Sequence, residues 1–299
     1  MFASFFSIFL CVYTTDLKIN VFYYYMIFTF YFAMFLFCSC SAYNYEEIAN
    51  VSVNIAQASY CVNKNLDWNC PTCYSNNILT HVIEKDSEQV ILGYNLDYNA
   101  IFIAFRGSSN IENWLANIQF HQIQPYDDEN ISVEKGFYNL FSDLKPIIYQ
   151  TLQDLTSKYN THNVLSTGHS LGAALATLFV FDNYYYNEEY NVIALMTFGS
   201  PRIGNHNFVS KFSNYNIYSK RITHYYDMVP HVPQNMLHYY HIPNEIWYTE
   251  GNDEYMVCDD TSSPYNEDPK CSDSCSPTHC TSTSDHTYYL NVTMGSSGC

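Results

Sequence analysis

The sequence predicts an α/β domain with a mostly parallel central sheet and helices on both faces, stapled by disulfides. Continuous apolar runs of strand length alternate along the chain with stretches of helical periodicity. The apolar runs lack the polar-apolar alternation of a half-solvated sheet, so their strands are covered on both sides. Of 11 cysteines, eight fall after residue 42, an even number that reads as four bridges.

Taken in order, Tyr43 to Ser59 reads as a helix with Ile48, Val51, Ile55 and Ala56 on one face. Gln89 to Tyr94 and Ala100 to Phe105 read as strands around a turn-like Asn95 to Asn99. Phe137 to Tyr159 is a long amphipathic helical stretch. A strand at Val164 and a helix running to Phe181 follow, and Val192 to Phe198 is another apolar strand. His206 to Ser213 reads as a helix, Tyr218 to Tyr226 as a strand, and Tyr239 to Tyr248 as a last strand-pair region. No internal repeat is present. The final 40 residues are rich in Ser, Thr, Asp and Cys, a loop held by disulfides.

With 299 residues, the chain can bury a substantial single core. Hydrophobic residues make up 47% and charged residues 14%, a globular composition. The formal net charge of −17 argues against nucleic acid as a partner and against electrostatic docking on anionic membranes.

The first 42 residues differ from the rest. Asp16 and Lys18 are their only charges, and Val21 to Ala42 is uncharged. Its dense apolar part ends at Cys38, and Cys40-Ser-Ala42 then offers small residues to a signal peptidase. Residues 1–42 are expected to be a secretory signal, with Met26 as a second candidate start. A retained membrane anchor is the rival reading, because the uncharged run is long enough to span. The short apolar core and the small residues after it favour the signal.

Export fits the cysteines Cys61, Cys70, Cys73, Cys258, Cys271, Cys275, Cys280 and Cys299 as disulfides. A zinc knuckle at Cys70 and Cys73 lacks a second Cys-x-x-Cys, and Cys271, Cys275, Cys280 with His279 read better as bridges than as a metal site. No metal and no cofactor are expected. The sequons at Asn50, Asn130 and Asn291 fit an exported glycoprotein.

The stretch Asn163 to Val180 carries the chemistry. It reads as strand, sharp turn, helix, with Gly168-His-Ser170-Leu-Gly172 at the turn. A serine on such a turn leaves no room for a Cβ two positions either side. The N–H groups of the following helix's first turn point back at the serine and favour a developing anion. A serine hydroxyl becomes a nucleophile when a histidine takes its proton, and that histidine needs an acid to fix its tautomer. Asp227 is the acid candidate, directly after the strand ending at Tyr226 in a loop stiffened by Pro230 and Pro233. His286 is the histidine candidate, and His279 its nearest competitor. His169 beside the serine is expected to point away, and His224 and His231 to be structural. Oxyanion donors are expected at Leu171 and at Ser108, in the loop after the Phe102 to Phe105 run. Ile111, Trp114 and Leu115 fall on one face of a short helix. That helix reads either as a lid that opens on a lipid surface or as an ordinary core-packed helix.

These residues resemble the class 3 lipases, the fungal triacylglycerol lipase-like family. The resemblance covers nearly all of residues 43–299. It rests on Trp68 before Cys70-Pro-Thr-Cys73, Phe105-Arg-Gly-Ser-Ser109 with Trp114, and Lys135-Gly-Phe137. It continues through Gly168 to Gly172, Phe198-Gly-Ser-Pro-Arg-Ile-Gly204, Asp227 to Pro233, and Asp285-His286 with Tyr289. It implies an α/β-hydrolase fold, a Ser170, Asp227, His286 triad, Ser108 and Leu171 at the oxyanion hole, and a Trp114-bearing lid. It also implies Cys61–Cys299 and Cys70–Cys73 bridges and a third pair starting near Cys258, with the pairing among Cys258, Cys271, Cys275 and Cys280 open. The expected activity is triacylglycerol hydrolysis by a monomer at a lipid–water interface, secreted or in a lysosomal or phagosomal lumen. A phospholipase A1 or a feruloyl-type carboxylesterase is the alternative within enzymes, and an inactive binding protein the alternative outside them.

Overall fold

The computed structural model describes residues 44–118, 120–186, 190–261, 267–275 and 279–299. The expected signal or anchor lies outside these residues. Among the described residues no helix is long and apolar enough to cross a membrane.

Helix α1 (Tyr45–Cys61) starts at Asn44, whose side chain accepts the Glu46 N–H. Strands β1 (Asn77–Lys85), β2 (Glu88–Asn95) and β3 (Ala100–Phe105) follow as an antiparallel meander. Helix α2 (Ile111–Asn117) and the short strands β4 (Gln122–Ile123) and β5 (Val133–Glu134) lead into α3 (Lys135–Tyr159). Then come β6 (Asn163–His169), α4 (Leu171–Tyr186), β7 (Asn191–Phe198), α5 (His206–Ser213) and β8 (Ser219–His224). The chain closes with β9 (Glu245–Tyr248), β10 (Tyr255–Val257), α6 (Thr283–His286), β11 (Tyr288–Tyr289) and β12 (Val292–Thr293).

The main sheet has eight strands in the order β1-β2-β3-β6-β7-β8-β9-β10. Its middle, from β3 to β9, is parallel, and the strands outside that run pair antiparallel. Strand pleat sends alternate side chains to opposite faces. Ile101, Ile103 and Phe105 pack with α3, α4 and α5, while Phe102 and Ala104 pack with α1. Helix α3 commits Phe137, Phe141, Leu144, Ile148, Leu152 and Leu155 to that first core at helical spacing. Each such side chain contributes about 1.5–3 kcal/mol on burial. Helix α4 is buried from Leu171 to Asn183 on every side, which its Ala- and Leu-rich sequence permits.

Four elements differ from expectation. Strand β1 is half exposed and mixes polar with apolar residues, so no period marks it. Strand β10 is a sheet edge exposed along its length. Only Glu245–Tyr248 of the last expected region is a strand, with Tyr240 making a single bridge to Gly204. Strand β8 stops at His224 because Tyr225 turns to φ +34°.

The structure pairs Cys61 with Cys299, Cys70 with Cys73, Cys258 with Cys271, and Cys275 with Cys280. The first joins the end of α1 to the C-terminus. Two buried ion pairs, Arg202–Glu267 and Arg221–Glu245, hold the tail and β9 to the sheet. Such pairs contribute more to register than to net stability, because desolvation offsets their attraction.

Candidate active site

Ser170 stands between β6 and α4 at φ +58°, a left-handed conformation that costs an L-residue about 1–2 kcal/mol. The turn is over-determined. A Cβ on Gly168 would meet the Gly172 carbonyl oxygen at 2.3 Å, and one on Gly172 would meet the Phe105 oxygen at 2.0 Å. The Ser170 N–H donates to Phe198 O at 2.9 Å, which fixes the turn against β7.

Asp227 lies three residues beyond β8 and is 2% exposed. Its Oδ1 accepts the Val229 N–H at 2.8 Å. The His286 Nδ1–H reaches Oδ1 at 3.0 Å and Oδ2 at 2.9 Å, and the Tyr289 hydroxyl donates to Oδ2. Burial pushes the Asp227 carboxyl up, but the His286 charge and these hydrogen bonds outweigh it and hold the carboxyl below its usual range. Gly199, at φ +57°, makes room: a Cβ there would lie 2.8 Å from Asp227 Oδ2 and from the Tyr289 hydroxyl.

His286 ends α6, whose first turn is capped by Ser282 accepting the Asp285 N–H at 3.0 Å. With Nδ1 turned to the carboxylate, Nε2 is the ring nitrogen left for the serine side. Nε2 and the Ser170 hydroxyl are both buried and line one cavity of about 260 Å³, and neither has a hydrogen-bond partner among the described residues. Hydrogen bonds between such groups often form only with substrate bound. His286 is thus the histidine that bonds Asp227 among the described residues.

Ser108 follows β3 and lines both this cavity and a larger one of about 560 Å³. Its hydroxyl donates to Asn110 O at 3.1 Å, so in this form it is turned onto its own loop. Leu171 opens α4, where N–H groups have no intrahelical acceptor. Helix α2, capped by Asn110, contributes side chains to both cavities. Ile111 lines the Ser170 side, whereas Trp114 lines the larger cavity and stacks on Phe137 at 6.1 Å. Leu115 is half-buried and lines neither. Ile111 and Trp114, about 60° apart around the helix axis, thus line different cavities.

Three residues hold the loop of His286: His224, expected to be structural, His169, expected only to point away from the serine, and Tyr60, which the sequence does not mark. His224 Nδ1–H donates to Asp285 O at 3.0 Å, and His169 Nε2–H to His286 O at 2.7 Å. Tyr60 bonds His169 Nδ1 at 2.8 Å. No local pattern marks them, since each contact joins distant segments.

A hydroxyl on a strained elbow, an imidazole on the same cavity and a buried carboxylate behind it place a serine-type triad arrangement on an α/β-hydrolase fold. The chain belongs to the class 3 lipase family, whose profile, described as Lipase (class 3), matches residues 102–237. It is 32% identical over 248 residues to a lipase of Rhizomucor miehei, covering 79% of this chain and 66% of that protein. It is 30% identical over 162 residues to the secreted mono- and diacylglycerol lipase A of Penicillium cyclopium, covering 54% of this chain and 52% of that one. It is also similar to the solved structure of a triacylglycerol lipase whose catalytic centre is a serine protease triad. There the TM-score is 0.76 at 28% identity, over 85% of this chain and 97% of that one. The chain thus spans 66% and 52% of the lengths of the two relatives compared by sequence.

Proposed function

We propose that this protein is an exported carboxylic ester hydrolase that cleaves acylglycerols through an acyl-enzyme on Ser170. The observation that carries the reading is the shared cavity of Ser170 and His286, with His286 Nδ1 bonded to both oxygens of Asp227. Ser170 attacks the ester carbonyl while His286 Nε2 takes its proton. Asp227 stays ionised and stabilises the imidazolium, in keeping with its depressed pKa. The N–H groups of Leu171 and Ser108 receive the oxyanion, and Ser108 turns from Asn110 to do so. His286 returns the proton to the departing alcohol, and water repeats the sequence to free the acid.

Acylglycerol as substrate is supported by the relatives' activities and by α2, whose Ile111 and Trp114 face the two cavities and would lift away together as a lid. A second reading, a soluble or more polar ester, is favoured by Ser87, Glu88, Asn113 and Asn139 along the larger cavity. Four disulfides support an oxidising compartment and removal of residues 1–42 on export. The mass of the mature N-terminus tests that removal.

The deciding experiment is hydrolysis of a glycerol-ester chain-length series on either side of the solubility limit. A rate that climbs once substrate forms an interface supports the lipase reading. Smooth saturation below the limit supports the soluble-ester reading, and no hydrolysis of any ester overturns both.

A further inference from the structure

We infer that Tyr60 and His169 form a positioning pair that sets the oxyanion loop and the His286 loop relative to each other. The inference rests on the reading of Ser170 and His286 as nucleophile and base.

Hydrogen-bond polarity allows one assignment. The His286 carbonyl oxygen can only accept, so His169 Nε2 carries the proton given across 2.7 Å. Burial above all, with the neighbouring His286, pushes the His169 pKa down to about 3, so the ring is neutral and Nδ1 holds a lone pair. The Tyr60 hydroxyl then donates to Nδ1 across 2.8 Å. The Tyr60 hydroxyl in turn packs closely against Gly107, and burial keeps it protonated. The contacts run in a line from Gly107 through Tyr60 and His169 to His286.

The line joins four segments: α1, the loop after β3, the elbow, and α6. Its ends adjoin the groups the reaction needs. Gly107 precedes Ser108, the oxyanion candidate, and the His286 carbonyl belongs to the residue whose imidazole takes the proton. Contact at the first end is close, since a Cβ on Gly107 would stand 2.2 Å from the Tyr60 hydroxyl and 2.5 Å from His169 O. His169 is 3% exposed and its ring lies 4.5 Å from that of His286, so it shares the wall of the site without reaching substrate.

A pair that positions reacting groups acts on turnover, whereas a pair that only fills space acts on stability. The test compares wild type with Tyr60→Phe, His169→Leu and His169→Gln. Glutamine keeps one donor and one acceptor, so it can serve both Tyr60 and the His286 carbonyl. Steady-state hydrolysis of a dissolved chromogenic short-chain ester, phosphonylation of Ser170 and the melting temperature are measured on each. In His169→Leu, kcat and the phosphonylation rate should fall by on the order of 10²-fold with KM little changed, as expected for a small misplacement of reacting groups. Tyr60→Phe should fall in the same sense, and His169→Gln should recover most of the loss. Should Tyr60→Phe and His169→Leu turn over like wild type at a lowered melting temperature, or should His169→Gln be no better than His169→Leu, the inference is overturned. If wild type neither hydrolyses esters nor reacts with the phosphonate, the reading of the site has failed instead. The pair is then judged by NMR: the downfield His286 Nδ1–H resonance should be sharp in wild type and His169→Gln and lost in His169→Leu. Its persistence in His169→Leu would overturn the inference independently.

Discussion

Tyr289 donates its hydroxyl to Asp227 Oδ2, the oxygen that His286 Nδ1 approaches to 2.9 Å. The carboxylate is thus held by a tyrosine and a histidine three residues apart on one short segment. A hydrogen bond to a charged group contributes about 1.5–3 kcal/mol. Tyr289→Phe should cost about that in stability at neutral pH. Asp227 titrates below its usual range in the fold, so its contribution is present above the unfolded carboxyl value and lost on acidification. Without Tyr289 the folded value rises and the contribution shrinks. Urea unfolding of wild type and variant should show the gap between them closing as the pH falls below the unfolded carboxyl value and through the depressed folded values.

The proposed triad makes a ranking. Ser170→Ala and His286→Ala should each lose turnover by on the order of 10⁶-fold, and the double variant little more, because the two act as a unit. His279→Ala should turn over like wild type. Single-turnover assays on a dissolved ester check this, and a large loss in His279→Ala would mean that the base is misassigned.

Gly199→Ala should nearly abolish activity although Gly199 bears no reacting group. Its φ of +57° disfavours alanine, and the new Cβ would fall 3.0 Å from His286 Cε1 as well as on Asp227 and Tyr289. The backbone strain adds about 1–3 kcal/mol of destabilisation. A crystal structure of the variant should find the His286 ring displaced.

Acid should destabilise the fold well above the carboxylate range. His169 is pushed down to about 3, and burial also lowers His231 and His241. Unfolded histidine takes up its proton near pH ~6.5. Unfolding therefore binds protons between that pH and the folded values, so stability is full above it and falls as pH drops. Each such proton steepens the fall by about 1.4 kcal/mol per pH unit. Asp273, pushed up to about 6 by burial and Glu267, acts in the opposite sense. Denaturation from pH 7 to 4 should give a positive slope of stability with pH that is smaller in His169→Gln.

The two sides of α2 should separate by substrate. Opening exposes the apolar surface of Trp114 where it meets Phe137, at about 25 cal/mol per Å² in water, and an oil surface removes that cost. Trp114→Ala should weaken hydrolysis of emulsified triglyceride more than that of a dissolved ester. Ile111→Ala thins the cover on the Ser170 side and should speed the dissolved ester. Equal effects of each variant on both substrates would remove α2 from the role of lid.

The sequence by itself determined the elements whose pattern is local. The period of α3, the continuous apolar runs of β3, β6 and β7, and the glycine spacing around Ser170 each follow from residues within one turn or strand. Asp227 and His286 were legible too, since chemical type, order and position after a strand narrow the choice. Tertiary structure alone decided what depends on approach between distant segments. It joined Cys258 to Cys271 and Cys275 to Cys280, where spacing permits other pairings. It set the edges β1, half exposed, and β10, exposed along its length, where burial imposes no regular period. It divided Ile111 from Trp114 by the placing of two cavities. It also made His169, expected only to point away from the serine, the link between Tyr60 and the His286 backbone. The physical reason is the same throughout: a side chain's period is written in its neighbours along the chain, but its hydrogen-bond partner is written in the packing.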